Sequence, residues 1–259
     1  MHAVKVVASY AVKGGVGKTA AAVNLAWLSA QDGYRTLLWD LDSQAGATFL
    51  LRGKSKVKGG SRRLLQGKSD ALRAVRATPD RGLDLLPADT TYAGTDVDLG
   101  AMKRSEQRIA RVLSGFKDDY DVVILDCPAG LSLLSTNVVS AADLVLVPIV
   151  PSPLSLRTLD HVVDLANQTK SRAVVLAFLS MVERRRALHR DVVDLLHGRY
   201  ADVARAVVPS SALIERMGQR RRPVVATSPE SVAAAAYRDL WAEVRTRLGV
   251  SRAGESPSG

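Results

Sequence analysis

The stretch Lys13-Gly14-Gly15-Val16-Gly17-Lys18-Thr19 constrains this chain more than any other. An apolar run at residues 4–8 precedes it and reads as a strand. An Ala/Leu-rich segment at 20–30 follows and reads as a helix. Strand, glycine-rich loop and helix, in that order, form the setting of a phosphate-binding loop. Closely spaced glycines let backbone N–H groups turn inward around a polyphosphate, where a Cβ would block the approach. The helix N-terminus adds partial positive charge at the same point. Lys18 is placed to reach the outer phosphates, and the Thr19 hydroxyl to ligate Mg²⁺. The strict spacing G-x-x-x-x-G-K-[ST] would put a glycine at 12; this chain has Val12 there, followed by Lys13.

Further apolar runs at 36–39, 83–86, 122–125, 144–147 and 173–179 read as buried strands. Helical patterns at 18–31, 103–114, 132–140 and 155–168 alternate with them. This alternation predicts an α/β fold, a single-domain doubly wound, mostly parallel sheet flanked by helices, over residues 1–250. Asp32-Gly33 should end the first helix, and Pro148, Pro151 and Pro153 should end the strand at 144–147. Arg184-Arg185-Arg186 should open a helix running to 196. A short strand at 207–209, a helical turn or two at 210–217, a last amphipathic helix at about 230–248 and a disordered tail at 251–259 complete the chain.

The run at 36–39 delivers Asp40 and Asp42 at its C-terminal end, where open α/β sheets bind ligands. In a strand the two carboxylates point to one side, which suits Mg²⁺ and water near a phosphate. Asp at a strand end also caps turns, and that alternative stays open. The run at 122–125 ends in Asp126-Cys127-Pro128. Four aliphatics followed by Asp match the second acidic element of nucleoside triphosphatases, whose carboxylate holds Mg²⁺ directly or through water.

Of 259 residues, 47% are hydrophobic but only 5% aromatic, so the core must be mainly aliphatic. The single Cys127 rules out a disulfide framework and any Cys-only metal or iron–sulfur site within one chain. Neither a basic leader followed by a long apolar stretch nor an apolar run approaching the roughly 20 residues that span a bilayer is present, so a cytoplasmic location is expected. Net charge of +10 exceeds what nucleotide binding requires and points to an anionic macromolecular partner. Residues 52–82 read as a basic insertion. Its first part, 52–68, carries seven basic residues and no acidic one. It is expected to be a mobile loop leading to a helix at 69–77, and either touches DNA or forms a solvated face. Arg184, Arg185, Arg186, Arg216, Arg220, Arg221 and Arg222 form clusters suited to phosphate backbone without sequence reading.

The loop at 13–19, then Leu37-Leu38-Trp39-Asp40-Leu41-Asp42-Ser43-Gln44, then Val122-Val123-Ile124-Leu125-Asp126-Cys127-Pro128, resemble the ParA/MinD family of deviant Walker ATPases, and the resemblance runs from about 4 to 248. It implies a P-loop NTPase fold and slow, Mg²⁺-dependent ATP hydrolysis. It also implies an ATP-dependent face-to-face homodimer in which Lys13 reaches the partner's nucleotide. On this resemblance Gly14, Gly15, Val16, Gly17 and Lys18 wrap the phosphates, with Ala20 next to them, and Thr19 binds Mg²⁺. Asp42 positions the attacking water, Asp40 supports the metal shell, Asp126 holds Mg²⁺ through water and Pro209 lies on the adenine side. The catalytic set is Lys13, Lys18 and Asp42. Ser43, Ala20 and Ala129 depart from the family pattern, which commonly has proline, threonine and proline there; none removes a catalytic group.

The partition or positioning branch implies non-specific DNA binding, a nucleoid-associated cytoplasmic location and a cargo-adaptor protein that stimulates hydrolysis. Two alternatives stand beside it. A MinD-like division-site regulator would need a C-terminal amphipathic helix, and 251–259 offers no apolar face for lipid. A synthase on the same scaffold remains open.

Overall fold

The structure, a computed structural model, describes residues 4–58, 60–68, 70–183, 195–196, 198–200 and 202–250. Among them runs one sheet of eight strands in the order β3-β4-β2-β5-β1-β6-β7-β8. The strands are β1 (Lys5–Ser9), β2 (Thr36–Asp40), β3 (Arg76–Ala77), β4 (Leu83–Leu86), β5 (Val122–Asp126), β6 (Leu144–Ile149), β7 (Val174–Val182) and β8 (Val203–Pro209). Only the pairing of β3 with β4 is antiparallel. The parallel, doubly wound arrangement read from the sequence is the one found.

β1 lies between β5 and β6, with Val7 opposite both Ile124 and Leu144. The chain leaves β1 toward β2 and β4, returns through β5, and then builds outward through β6, β7 and β8. The order therefore reverses at β1, and the loop after β1 opens at the switch point, where such sheets bind ligands. β2 and β5 are buried along their whole length, as parallel strands covered on both faces must be.

One face is covered by α1 (Lys18–Gln31) and the final helix Val232–Leu248, packed through Leu25, Tyr237 and Trp241. The other face lies under α3 (Gly60–Leu65), α5 (Arg108–Leu113), α6 (Leu133–Ala141) and α7 (Pro153–Gln168). Leu64, Leu113, Val138 and Leu159 belong to its core. Two short helices, α2 (Gly46–Leu50) and α4 (Thr95–Gly100), lie in the connections after β2 and β4. Among the described residues no helix is long and apolar enough to cross a membrane.

α1 keeps the expected bounds, with Asp32 as its C-cap and Gly33 at positive φ beyond it. The final helix starts at Val232, capped by Ser231. Several expectations are corrected. Of the helix expected at 69–77, the described residues 70–77 form only a single 3₁₀ turn, Leu72–Ala74, before the edge strand β3. Only Ala74 of that turn is buried, so a helix there would have had no apolar face to bury. The stretch 52–68 is not a bare loop, because Leu64 and Leu65 seat α3 in the core. The helix expected at 103–114 is broken into the 3₁₀ turn Ser105–Gln107 and α5. β6 continues through Pro148 to Ile149. It pairs with β1 only as far as Leu146, so a residue without an N–H is tolerated beyond that point. β8 is seven residues long, not three. The expected helix at 184–196 and the tail at 251–259 fall outside the described residues, apart from 195–196.

Candidate functional site

The three central strands bring three polar side chains to one line. Ser9 pairs in register with Asp126, and Asp126 with Asp40. All three are buried. Ser9 Oγ donates to the Lys18 carbonyl at 2.9 Å, which ties the start of α1 to the end of β1. Between them the loop 13–17 turns sharply. Gly17 has φ of +101°, and a Cβ there would come within 2.7 Å of Ser180 Oγ on β7. Glycine is needed at 17 for both reasons. The segment after β5 backs the loop: Gly130 N donates to the Val12 carbonyl at 3.0 Å, and the Tyr10 hydroxyl donates to the Gly130 carbonyl at 2.8 Å.

Two lysines sit on this loop in opposite settings. Lys18 is 7% exposed, and its ammonium donates to the Lys13 carbonyl at 3.4 Å. Lys13 itself is exposed. The loop thus holds one cation inside its curve and presents another outward.

Asp126 is the least compensated group in the site. Both carboxylate oxygens are buried without a hydrogen-bond partner. Burial drives its carboxyl well above the ordinary range and the Asp40 carboxylate adds to this, opposed by the Lys18 ammonium and by the Thr19 hydroxyl, near but outside hydrogen-bond geometry. A buried acid with orphaned oxygens is a group that a cation would satisfy. Mg²⁺ takes only one or two protein oxygens, the rest coming from phosphates and water, so Thr19 and Asp126 suffice on the protein side. Among the described residues no group of three or more His, Cys, Asp or Glu converges as a metal cage.

Asp40 stands differently. Its Oδ1 accepts from Asp42 N at 3.1 Å, and its Oδ2 accepts from the Thr48 N–H and hydroxyl, both at 2.8 Å. Burial lifts its carboxyl to about 6 despite those bonds, with the Asp42 charge adding to the rise. Its oxygens hold the turn after β2, the alternative that the sequence left open. β2 ends at Asp40, so strand alternation does not set Asp42's direction. The half-buried Asp42 instead accepts from Gln44 N at 2.9 Å. The turn runs on into α2, where a Cβ on Gly46 would approach Thr19 Cγ2 to 3.1 Å.

Pro209, far from the loop in sequence, meets it in space. Gly17, Ala20, Ser180, Val208, Pro209 and Tyr237 line one small cleft at the base of α1. The arginines divide. Arg184, Arg185 and Arg186 lie outside the described residues. Arg216 is exposed. Arg220 donates to the Thr227 carbonyl and Ser228 Oγ at 3.3 and 3.2 Å. Arg221 stacks 4.5 Å over the Phe49 ring and donates to the Phe49 carbonyl at 2.9 Å. Arg222 pairs with Asp80, which also accepts from Trp27 Nε1. Sequence reading missed Ser9, Gly46, Thr48 and Ser180. Ser9 ends the first strand and could have been suspected; Thr48 and Ser180 carry no local signal.

The family model described as an AAA domain matches residues 4–176. The sporulation initiation inhibitor protein Soj of Bacillus subtilis is 30% identical over 247 residues, covering 93% of this chain and 98% of that protein. The chromosome partitioning protein ParA of Caulobacter vibrioides is 31% identical over 247 residues, covering 91% of each. A crystal structure of cobyrinic acid a,c-diamide synthase from Mycobacterium smegmatis, with bound ADP and magnesium, matches with a TM-score of 0.80 at 28% identity, covering 93% of this chain and 94% of that one.

Proposed function

The chain belongs to the ParA/Soj family of partition ATPases, and from that premise we propose that it is an ATP-driven switch. It pairs with a second copy when ATP is bound, holds DNA non-specifically in that state, and is reset by slow hydrolysis. The observation that carries the reading is the buried, unanswered carboxylate of Asp126 beside Thr19, at the mouth of the loop 13–19.

In this reading the N–H groups of 14–18 and the Lys18 ammonium hold the phosphates, and Gly17, Ala20 and Pro209 form the nucleoside side. Thr19 and Asp126 hold Mg²⁺, which when bound neutralises charge on the phosphates. Asp42 orients the attacking water. Asp40 fixes the turn that carries Asp42. Phosphoryl transfer depends on positioning and charge neutralisation more than on covalent chemistry. Lys13, exposed on the rim, is free to serve a facing chain, so full neutralisation awaits dimerisation. Arg216 leads the C-terminal DNA contacts, with Arg220, Arg221 and Arg222 beside it and Arg184, Arg185 and Arg186 completing the expected surface. The location is the nucleoid, and an adaptor on the cargo would accelerate hydrolysis.

Size-exclusion chromatography of Asp42→Ala with ATP and Mg²⁺ tests this. A stable dimer with hydrolysis abolished is expected; a monomer that hydrolyses ATP at the wild-type rate contradicts the assignment. A second reading, an ATP-dependent synthase, is supported by the likeness to the Mycobacterium smegmatis protein. It expects turnover that depends on a small acid and is indifferent to DNA.

A further inference from the structure

We infer that residues 52–68 form a second binding face for the phosphate backbone of duplex DNA, continuous with the C-terminal arginines. The inference rests on the partition reading for the class of partner and names a surface that reading does not use.

The side chains of Arg52, Lys54, Lys58, Arg63 and Lys68 are exposed, and among the described residues none of these five enters an ion pair. Two other cations of the stretch are engaged. Arg62 meets Asp98 at 3.4 Å. Lys56 lies near Asp89, whose carboxyl burial would raise, but hydrogen bonds from Val57 and Thr91 and the Lys56 charge bring it below its usual range. The apolar members, Val57, Leu64 and Leu65, are all buried. The outer surface is therefore cationic with no apolar group to insert into lipid, which favours a nucleic acid over a membrane.

The backbone beneath these charges is pinned. Val57 N donates to Asp89 Oδ2 at 2.8 Å, Ser61 N to Thr91 Oγ1 at 2.8 Å, and Ser55 Oγ to the Ala88 carbonyl at 3.1 Å. A fixed backbone lowers the ordering cost of binding. The same scaffold reaches the nucleotide edge: Ala88 N donates to Thr48 Oγ1, which donates to Asp40 Oδ2, both at 2.8 Å. Arg52 lines one cleft with Arg221 and Arg222, so the two basic surfaces adjoin. Because Arg221 and Arg222 are already held by Phe49 and Asp80, the rim at 52–68 offers the more available charge.

The test is the triple variant Lys54→Gln, Lys58→Gln, Arg63→Gln in the full chain with ATP and Mg²⁺, titrated with random-sequence duplex DNA across a salt series. Affinity should drop roughly tenfold or more, and the slope of log affinity against log salt should shrink by about 0.9 for each phosphate that is no longer neutralised. ATP hydrolysis without DNA should stay at the wild-type rate. The charge-keeping variant Lys54→Arg, Lys58→Arg, Arg63→Lys should bind as wild type does, which separates charge from misfolding. A neutral triple variant with wild-type affinity and slope overturns this inference alone. Loss of binding to anionic phospholipid vesicles with DNA binding intact overturns it in favour of a membrane. A wild-type chain that binds no DNA in any nucleotide state fells both this inference and the partition reading.

Discussion

The phosphate loop and the arginine cluster at 220–222 hold charge in opposite ways. Around the loop, charge is buried and unanswered: the Asp126 carboxylate has no hydrogen-bond partner, and the Lys18 ammonium reaches only a carbonyl. Around the cluster, charge lies near the surface and is answered from within the chain, by Asp80, Phe49, Thr227 and Ser228. Folding disfavours a buried group without a partner, so such a group persists where something from outside completes it. Groups with internal partners hold the fold first. Substitutions near the loop should therefore cost ligand response and spare stability, and those in the cluster should do the reverse.

The largest effect is expected at Asp126. ATP at a thousandfold over its dissociation constant stabilises a protein by about 4 kcal/mol. In Asp126→Asn most of the Mg²⁺-dependent part of that gain should vanish, while the melting temperature without nucleotide rises. A variant less stable than wild type without ligand, yet stabilised normally by MgATP, would break the contrast. Next comes pH. Asp40's carboxyl is raised by burial to about 6, so the folded chain keeps a proton that the unfolded chain loses near its ordinary value. Its contribution is present at low pH and is lost as pH climbs. Relative to Asp40→Asn, which cannot ionise, wild-type stability should fall by on the order of 2 kcal/mol between about pH 4 and about pH 6. A difference that does not change with pH contradicts the burial argument. The smallest effect belongs to the cluster. Arg222→Ala removes the partner of the nearly buried Asp80 and should cost about 1 kcal/mol in chemical denaturation, with DNA affinity reduced less than in Arg216→Ala. The opposite ranking would mean that Arg222 faces the partner despite its internal pair.

How much of this the sequence showed depends on locality. The loop, Asp126 and the strands around them are contiguous patterns, and β1, α1, β4 and β5 fell where the apolar runs put them. Ser180 against Gly17, and Thr48 between Asp40 and Ala88, join residues distant in the chain, so no spacing announces them. The stretch 52–82 was misread for another reason. Its charge and its glycines masked Val57, Leu64 and Leu65, whose burial seats α3. Residues 69–77 looked helical by content, yet pairing with β4 satisfied the backbone of Arg76–Ala77 where an exposed Leu72 gave a helix nothing to bury. Asp40 and Asp42 were rightly placed at a strand end, but the strand stops at Asp40 and the turn separates their roles.

In the proposed switch nucleotide state governs DNA binding, which a mobility-shift titration with random-sequence duplex DNA, run with ATP, with ADP and without nucleotide, puts to the test. Retention should appear with ATP and Mg²⁺ and weaken steeply with salt, and should be far weaker in the other two conditions. Equal affinity in all three would contradict the switch.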